Sequence, residues 1–165
     1  MKPEAIIIHC SATRETSNVS AEQIDQMHKA RGFKRSNQGE KLNHIGYHYY
    51  ITKDGVVHPG RHEDEQGAHC IGWNDRSIGI CYEGGLDASG MAKDTRTPAQ
   101  KQSMINLVNA ISSRWTILQV MGHRDTFPDK NGNGKVDPWE RLKECPCFDV
   151  KPEFSSFLNP INVNA

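Results

Sequence analysis

The sequence lacks an apolar run long enough to cross a bilayer, and it has no excess of charge of either sign. Its longest apolar stretches, such as residues 5–8, have only the length of a strand. Basic and acidic residues number 20 each, so the composition favours neither nucleic acid nor an anionic membrane as a partner. The N-terminus lacks the pattern of a signal peptide. We therefore expect synthesis in the cytoplasm and no membrane contact.

The sequence also lacks the regular cysteine framework of a small secreted protein. Its cysteines number five, an odd count. Cys70 and Cys81 lie in apolar or strand-like context, and we expect buried free thiols there, with a disulfide only if the fold brings the two together. Cys10 follows His9 in a predicted strand, so their side chains are expected to point to opposite sides.

Strand-like and helix-like segments alternate along the chain, whose 165 residues suit one domain with one core. Capping patterns predict helices after Ser20 and Thr97, and Asp149 is predicted to cap a short last helix. Apolar and alternating runs predict strands at residues 5–9, 45–52, 56–58, 77–82 and 115–121. These segments predict an α/β fold for the single domain 1–165, with a mixed central sheet flanked by helices.

Two histidines and a cysteine are the candidate metal ligands. His9 and His123 each end a predicted strand, where α/β enzymes place reactive side chains, and Cys145 lies in a proline-containing loop. Together they would form a zinc site with a fourth position open for water, which is the arrangement of a catalytic site. Taken alone, each histidine is more often structural, and Cys147 competes with Cys145 as the thiol ligand.

Lys143 and Tyr47 are candidates to stabilise an oxyanion. In an extended loop, Lys143 and Cys145 would point to the same side, and a cation beside a polarised carbonyl stabilises an amide-hydrolysis intermediate. Tyr47, which we predict to share a strand face with Tyr49, could hold the attacking water or donate to the oxyanion. The alternatives are a solvated surface lysine and ordinary aromatic packing in the core.

Several short motifs occur in a fixed order along nearly the whole chain. They are residues 8–13 (IHCSAT), 46–49 (GYHY), 67–69 (GAH), 72–74 (GWN), 77–80 (SIGI), 122–124 (GHR) and 143–146 (KECP). In order and spacing, the chain resembles the zinc N-acetylmuramoyl-L-alanine amidases, the family of small bacteriophage lysozyme-amidases and peptidoglycan recognition proteins. The resemblance implies a peptidoglycan recognition protein-like fold and a cell-wall hydrolase that acts after lysis or by a separate export route.

The resemblance also assigns roles by position. It implies that His9, His123 and Cys145 bind Zn²⁺, and that a zinc-bound water attacks the amide between N-acetylmuramic acid and L-alanine with help from Tyr47 and Lys143. It places three further residues along the substrate cleft: His69, Trp73 and Asn74. Family members without the cysteine bind peptidoglycan and do not cut it. Because Cys145 directly precedes a proline and follows Lys143 by two residues, it is preferred over Cys147.

Residues 129–140 (DKNGNGKVDPWE) form an insert between His123 and Lys143 that resembles a calcium loop. The predicted ligands occupy positions 1, 3, 5, 7, 9 and 12 of that loop: Asp129, Asn131, Asn133, Lys135 through its carbonyl, Asp137 and Glu140. Only three of these side chains are carboxylates, and Pro138 interrupts the exit of the loop. An ion-free polar turn is the alternative, and a structural Ca²⁺ would support the loop that carries Cys145.

Three functions remain open at this stage. A zinc amidase is the leading hypothesis, because Tyr47, Lys143 and Cys145 are all present. A non-catalytic module that binds peptidoglycan or muropeptides is the second, and a calcium-dependent interaction module is the third. We expect a monomer whose partner is peptidoglycan or its fragments. A phage lysin, an interbacterial weapon and a recycling enzyme all fit the sequence.

Overall fold

The structure, a computed structural model, describes residues 1–35 and 41–158. The strands are β1 (Ala5–Cys10), β2 (Thr13–Arg14), β3 (Tyr49–Ile51), β4 (Val57–Pro59), β5 (Ser77–Tyr82), β6 (Gly85–Leu86) and β7 (Gln119–Gly122). The α-helices are α1 (Ala21–Ala30), α2 (Pro98–Arg114) and α3 (Val150–Phe154). Short 3-10 helices span His123–Thr126, Pro138–Glu140 and Ser155–Phe157. A polar loop predicted at residues 36–40 and a loose tail predicted after Pro160 lie outside the described residues.

A five-stranded mixed sheet forms the centre of the domain, in the order β4-β3-β5-β1-β7. The β1 strand pairs in parallel with β5 and β7, and β3 pairs in parallel with β5. Only the edge strand β4 is antiparallel, because a short turn joins it to β3. Every residue of β1 and β5 is buried, which explains why both strands read as unbroken apolar or small-residue runs.

Helices cover both faces of the sheet. One face packs Ile6 and Ile8 of β1 against Met104 and Val108 of α2, and the same cluster includes Phe154 of α3. The opposite face is covered by α1 and by loops, in clusters that include Ile24, Ile7 and Met121. The predicted α/β architecture with a mixed central sheet is therefore confirmed. The α1 side of the sheet is the one that holds the candidate site.

The predicted helix starts are confirmed at α1 and α2. Ser20 and Thr97 each accept a backbone hydrogen bond from the third helical residue, and a glutamine side chain returns the bond to the cap. At α3 the predicted cap is wrong, because the Asp149 side chain makes no capping bond. The Asp149 carboxylate instead accepts a hydrogen bond from the Arg124 guanidinium, since a buried cation needs a charged acceptor more than a short helix needs a cap.

Two predicted strands are shorter in the structure. The run at residues 45–52 contains only β3, so Tyr47 lies before the strand. Its predicted shared face with Tyr49 is wrong, because Tyr47 packs with the α1-side cluster and Tyr49 with the α2-side cluster. The run at residues 115–121 begins as a strand only at Gln119, because Trp115 ends helix α2. The small β2–β6 pair was not predicted, since two-residue strands have too little periodicity to detect.

Candidate active site

Parallel pairing brings His9 and His123 together at the carboxyl ends of β1 and β7. In the register of these strands Ile8 lies opposite Gly122, and the residue that follows each of them in the chain is a histidine. The two imidazole ring centroids are 4.7 Å apart. His9 is buried on the α1 side of the sheet, whereas Cys10 packs on the α2 side. The predicted opposite orientation of these neighbours is confirmed.

The loop around Cys145 lies against the same strand ends. The Cys145 thiol is 3.9 Å from His9 Nδ1 and accepts a hydrogen bond of 3.2 Å from the Cys10 backbone N–H. Pro146 packs on Gly122 so closely that a Cβ at Gly122 would lie 2.6 Å from the proline ring. The Tyr82 hydroxyl donates to the Pro146 carbonyl at 2.6 Å. The loop is therefore tied to both the sheet and the end of β7.

The structure separates the two competing thiols. Both cysteines pack against the α2-side core, but the Cys147 thiol lies 3.9 Å from the Cys10 thiol, whereas the Cys145 thiol lies 3.9 Å from His9 Nδ1. Among residues 1–35 and 41–158, the one group of at least three clustered His, Cys, Asp or Glu ligand atoms belongs to His9, His123 and Cys145, whose ligand atoms lie within 4.8 Å of one another. Cys70 and Cys81 are buried free thiols, as expected.

The chemistry of this group fits zinc. Two imidazole nitrogens and one thiolate are common zinc ligands, and tetrahedral coordination places such ligand atoms about 3.3–3.6 Å apart. The 3.9 Å between Cys145 Sγ and His9 Nδ1 is close to that spacing. Three protein ligands leave one coordination position for water or substrate, as catalytic zinc sites require.

Burial keeps His9 in the neutral form that a metal ligand needs. Desolvation lowers the pKa of His9 well below its ordinary value, and the neighbouring His69, His123 and Lys143 add to this effect. Neutral imidazole has a free nitrogen lone pair near neutral pH, so a metal does not have to displace a proton there.

Tyr47 lies on the His9 side of the sheet, and the charge of Lys143 acts on His9. The Tyr47 ring centroid is 5.2 Å from that of His9 and also 5.2 Å from that of His28. Burial raises the pKa of the Tyr47 hydroxyl well above its ordinary value, with Cys81 and Cys145 contributing, so it stays a hydrogen-bond donor. Lys143 is exposed, and its charge is among those that lower the pKa of His9.

The three residues predicted to line a substrate cleft make internal contacts. His69 Nδ1 lies 3.0 Å from His9 Nε2. The Asn74 side-chain oxygen accepts backbone hydrogen bonds from His69 and Cys70, at 2.8 and 2.9 Å. Trp73 packs against a cluster beneath the site, and the Arg76 guanidinium lies 4.5 Å above its ring. Contact with substrate stays a prediction for all three residues.

The insert at residues 129–140 is closed by its own hydrogen bonds. The Asp129 carboxylate accepts from the backbone of Gly132 and Gly134, each at 2.7 Å. Glu140 is 1% exposed and accepts from the backbone of Lys130, Asn131 and Asp137. The Asp137 carboxylate accepts from the Asn131 and Asn133 side chains, and Lys135 pairs with it through its ammonium group. Calcium binding by this loop stays a prediction.

Acid is expected to destabilise the protein below pH 6.5, because two buried histidines are held as neutral acceptors. His28 Nδ1 accepts from the Gly46 N–H at 2.8 Å, and His48 Nδ1 accepts from the Gly79 N–H at 3.0 Å. Burial lowers the pKa of each to about 4. Histidine in an unfolded chain has a pKa of about 6.5, so only the unfolded state gains these protons between the two values.

The free energy of unfolding should therefore be constant above pH 6.5 and fall as the pH drops toward 4. We expect about 1 kcal/mol per pH unit for each histidine, measured by urea denaturation between pH 6.5 and 5.5, above the range in which carboxylates titrate. A His28→Asn variant keeps an acceptor without a titrating group and should show a shallower slope than the wild type, reduced by the contribution of one histidine. A flat profile in the wild-type protein would contradict the prediction.

The fold and the site together define the class of the protein. The ends of the adjacent parallel strands β1 and β7 carry two histidines, and a loop places a thiol beside them, as in enzymes that use a mononuclear metal centre. No helix within the described part of the chain is long and apolar enough to span a membrane.

Comparison with known proteins identifies the family. Residues 1–140 match the N-acetylmuramoyl-L-alanine amidase family, a match that stops before Lys143 and Cys145. The endolysin of Klebsiella phage KP32 is 36% identical over 146 residues, which cover 88% of this chain and 82% of that protein. The chain therefore belongs to the N-acetylmuramoyl-L-alanine amidase family, a family of amide-hydrolysing enzymes, and the resemblance noted in the sequence is confirmed.

Solved structures support the same fold. The N-acetylmuramoyl-L-alanine amidase LysC from Clostridium intestinale URNW superposes with a TM-score of 0.68 at 28% identity, covering 96% of this chain and 87% of LysC. Bumblebee PGRP-SA superposes with a TM-score of 0.64 at 23% identity, covering 95% of this chain and 82% of that one. The predicted peptidoglycan recognition protein-like fold is confirmed.

Proposed function

We propose that this chain is a zinc-dependent peptidoglycan hydrolase that cleaves the amide between N-acetylmuramic acid and the L-alanine of the stem peptide. The observation that carries the proposal is the convergence of His9, His123 and Cys145, with ligand atoms within 4.8 Å of one another, beside the half-buried Tyr47 ring. The family and the phage endolysin relatives support this substrate class.

His9, His123 and Cys145 would hold the zinc ion, which when bound supplies a Lewis acid and lowers the pKa of water toward neutrality. The Cys10 N–H donates to the Cys145 sulfur at 3.2 Å. This bond ties the sulfur to the backbone of β1, one residue beyond His9.

Tyr47 and Lys143 would stabilise the negative charge that develops on the amide oxygen during attack. The hydroxyl of Tyr47 stays protonated, because its pKa is raised by burial, and it can therefore donate a hydrogen bond throughout the neutral range. Lys143 would add a positive charge from the solvent side, where its side chain is exposed. Such donors stabilise the transition state more than the substrate because the charge appears only there.

Hydrolysis of purified sacculi tests the proposal. Cleavage at the proposed bond creates a new free amino group on L-alanine, which distinguishes this reaction from glycan cleavage. We expect release of stem peptides that a chelator abolishes and that added Zn²⁺, but not Ca²⁺, restores. Binding to sacculi without zinc-dependent release would instead support the alternative, a non-catalytic peptidoglycan- or muropeptide-binding module.

The names of the relatives support a proposal about the place of action. The curated relatives from Klebsiella phage KP32 and Enterobacteria phage T3 are named endolysins. We propose that this chain likewise acts on the bacterial cell wall, reached after lysis or by a separate export route, and that it acts as a monomer.

Calcium binding by residues 129–140 is a separate prediction, in which the ion would stabilise the loop that carries Cys145. Because only Asp129, Asp137 and Glu140 offer carboxylates, we expect weak binding, with a dissociation constant on the order of 10⁻⁴–10⁻³ M. Isothermal titration calorimetry of the zinc-loaded protein measures this dissociation constant. The Asp129→Asn substitution should abolish the heat of calcium binding. No binding at millimolar Ca²⁺ would end the prediction and leave an ion-free polar turn.

A further inference from the structure

His69 is the partner of the second ring nitrogen of His9. His9 directs Nδ1 toward Cys145, at 3.9 Å from the thiol, and Nε2 toward His69 Nδ1, at 3.0 Å. On its far side, His69 Nε2 faces the Ser77 carbonyl oxygen at 3.4 Å. The three groups form a line that starts at the candidate metal centre and ends on the backbone of β5.

The chemistry of this line permits one arrangement of protons. A carbonyl oxygen only accepts, so His69 Nε2 carries the proton that faces Ser77. The Ser77 hydroxyl donates to the Trp73 carbonyl at 2.7 Å, so it too can only accept from His69. Neutral His69 then has a lone pair on Nδ1, and His9 must donate to it from Nε2. The lone pair of His9 is thereby left on Nδ1, the atom that faces Cys145.

Close packing fixes the His69 ring in the orientation that this line requires. A Cβ at Gly79 of β5 would lie 2.6 Å from the ring, and a Cβ at Gly67 would lie 2.5 Å from it. Asn74 holds the backbone on either side of the ring by accepting from the N–H groups of His69 and Cys70. A ring bounded by backbone on both sides cannot rotate away without displacing β5 or its own loop.

We propose that His69 is a positioning residue that holds His9 in the tautomer and orientation needed to bind zinc through Nδ1. The proposal rests on the proposed zinc site. It gives His69 a role that a residue of the substrate cleft would not have, because the ring accepts a hydrogen bond from a metal ligand and need not contact substrate. Loss of a hydrogen-bond partner to a ligand histidine lowers metal affinity by about 10–100-fold.

Two substitutions separate positioning from packing. His69→Leu fills much of the ring volume but offers no acceptor to His9, whereas His69→Asn is smaller but keeps an oxygen near the position of Nδ1. We expect His69→Leu to weaken zinc binding by about 10–100-fold. His69→Asn should bind zinc more tightly than His69→Leu, even where it unfolds at a lower temperature. His58→Leu is the control, since the His58 ring bonds Thr52 away from the site and zinc affinity should not change.

The measurement is competition for Zn²⁺ against a chromophoric chelator, together with thermal unfolding of the metal-free proteins. Wild-type protein that binds no zinc would refute the proposed function itself. If the wild type binds zinc, an affinity of His69→Leu within twofold of it would overturn the positioning role. The positioning role would also be overturned if both variants lost zinc affinity only in proportion to their loss of thermal stability. An unchanged zinc affinity with a raised KM would return His69 to the substrate cleft.

A second measurement covers variants that fail to fold. The ¹⁵N chemical shifts of the His9 ring in the metal-free wild-type protein report which nitrogen carries the proton. We expect the proton on Nε2, with a lone pair on Nδ1. A proton on Nδ1 would overturn the proposal without any substitution.

Discussion

Replacing Cys145 with alanine is expected to abolish zinc binding and to lower stem-peptide release by about 10³-fold or more, because a Lewis acid contributes several kcal/mol to the transition state. The thiol is the one anionic ligand of the proposed set, and two neutral histidines alone leave the ion with too few protein ligands. Zinc content per chain and the rate of release from sacculi are the two measurements.

Cys147→Ala is the matched control for Cys145→Ala. Both cysteines are partly buried and lie two residues apart, but the Cys147 thiol contacts Cys10 on the α2 side of the sheet. Its removal should leave zinc content and rate unchanged while lowering the free energy of unfolding by about 1 kcal/mol, through lost packing. Zinc retained by Cys145→Ala and lost by Cys147→Ala would reassign the ligand.

Replacing Tyr47 with phenylalanine is expected to lower kcat by about 10²–10³-fold, the usual cost of removing one oxyanion donor. Phenylalanine keeps the ring that packs 5.2 Å from the rings of His9 and His28. Zinc content and KM should therefore change little, because the hydroxyl would act on charge that appears only in the transition state. Steady-state kinetics on a soluble muropeptide separates kcat from KM.

Tyr49→Phe is the control for Tyr47→Phe. The Tyr49 hydroxyl donates to Glu63 at 2.7 Å on the other side of the sheet. Its loss should cost about 1 kcal/mol of stability and leave kcat unchanged. Equal loss of kcat in both variants would mean that the effect of Tyr47→Phe is structural. A wild-type kcat in Tyr47→Phe would remove this tyrosine from the mechanism.

Local patterns predicted the elements whose signals lie within a few neighbouring residues. The capping boxes at Ser20 and Thr97 were predicted correctly because both partners of each box are three residues apart. Strand β5 was predicted with its observed bounds because it is buried along its length. The candidate metal ligands were also found from the sequence, since the family resemblance carries long-range information that local periodicity does not.

Other contacts depend on segments that are distant in the sequence. Nothing near His69 in the sequence indicates that its ring reaches His9, which is 60 residues away. That contact depends on the parallel pairing of β1 with β5, which sets His9 opposite Cys81 and brings Ser77 and Gly79 beneath the ring. The hydrogen bond that Asp149 accepts was missed for the same reason, because its donor Arg124 lies 25 residues earlier.

The sequence by itself determined the fold class, the helix starts, the buried strands and the family, because periodicity, capping and motif order are properties of neighbouring residues or of the whole pattern. Only the tertiary structure decided which thiol faces His9, where Tyr47 packs relative to Tyr49, and that His69 lies beneath a candidate ligand. The physical reason is that strand register and loop packing set distances between segments far apart in the chain, and these distances decide which atoms can share a metal ion or a proton.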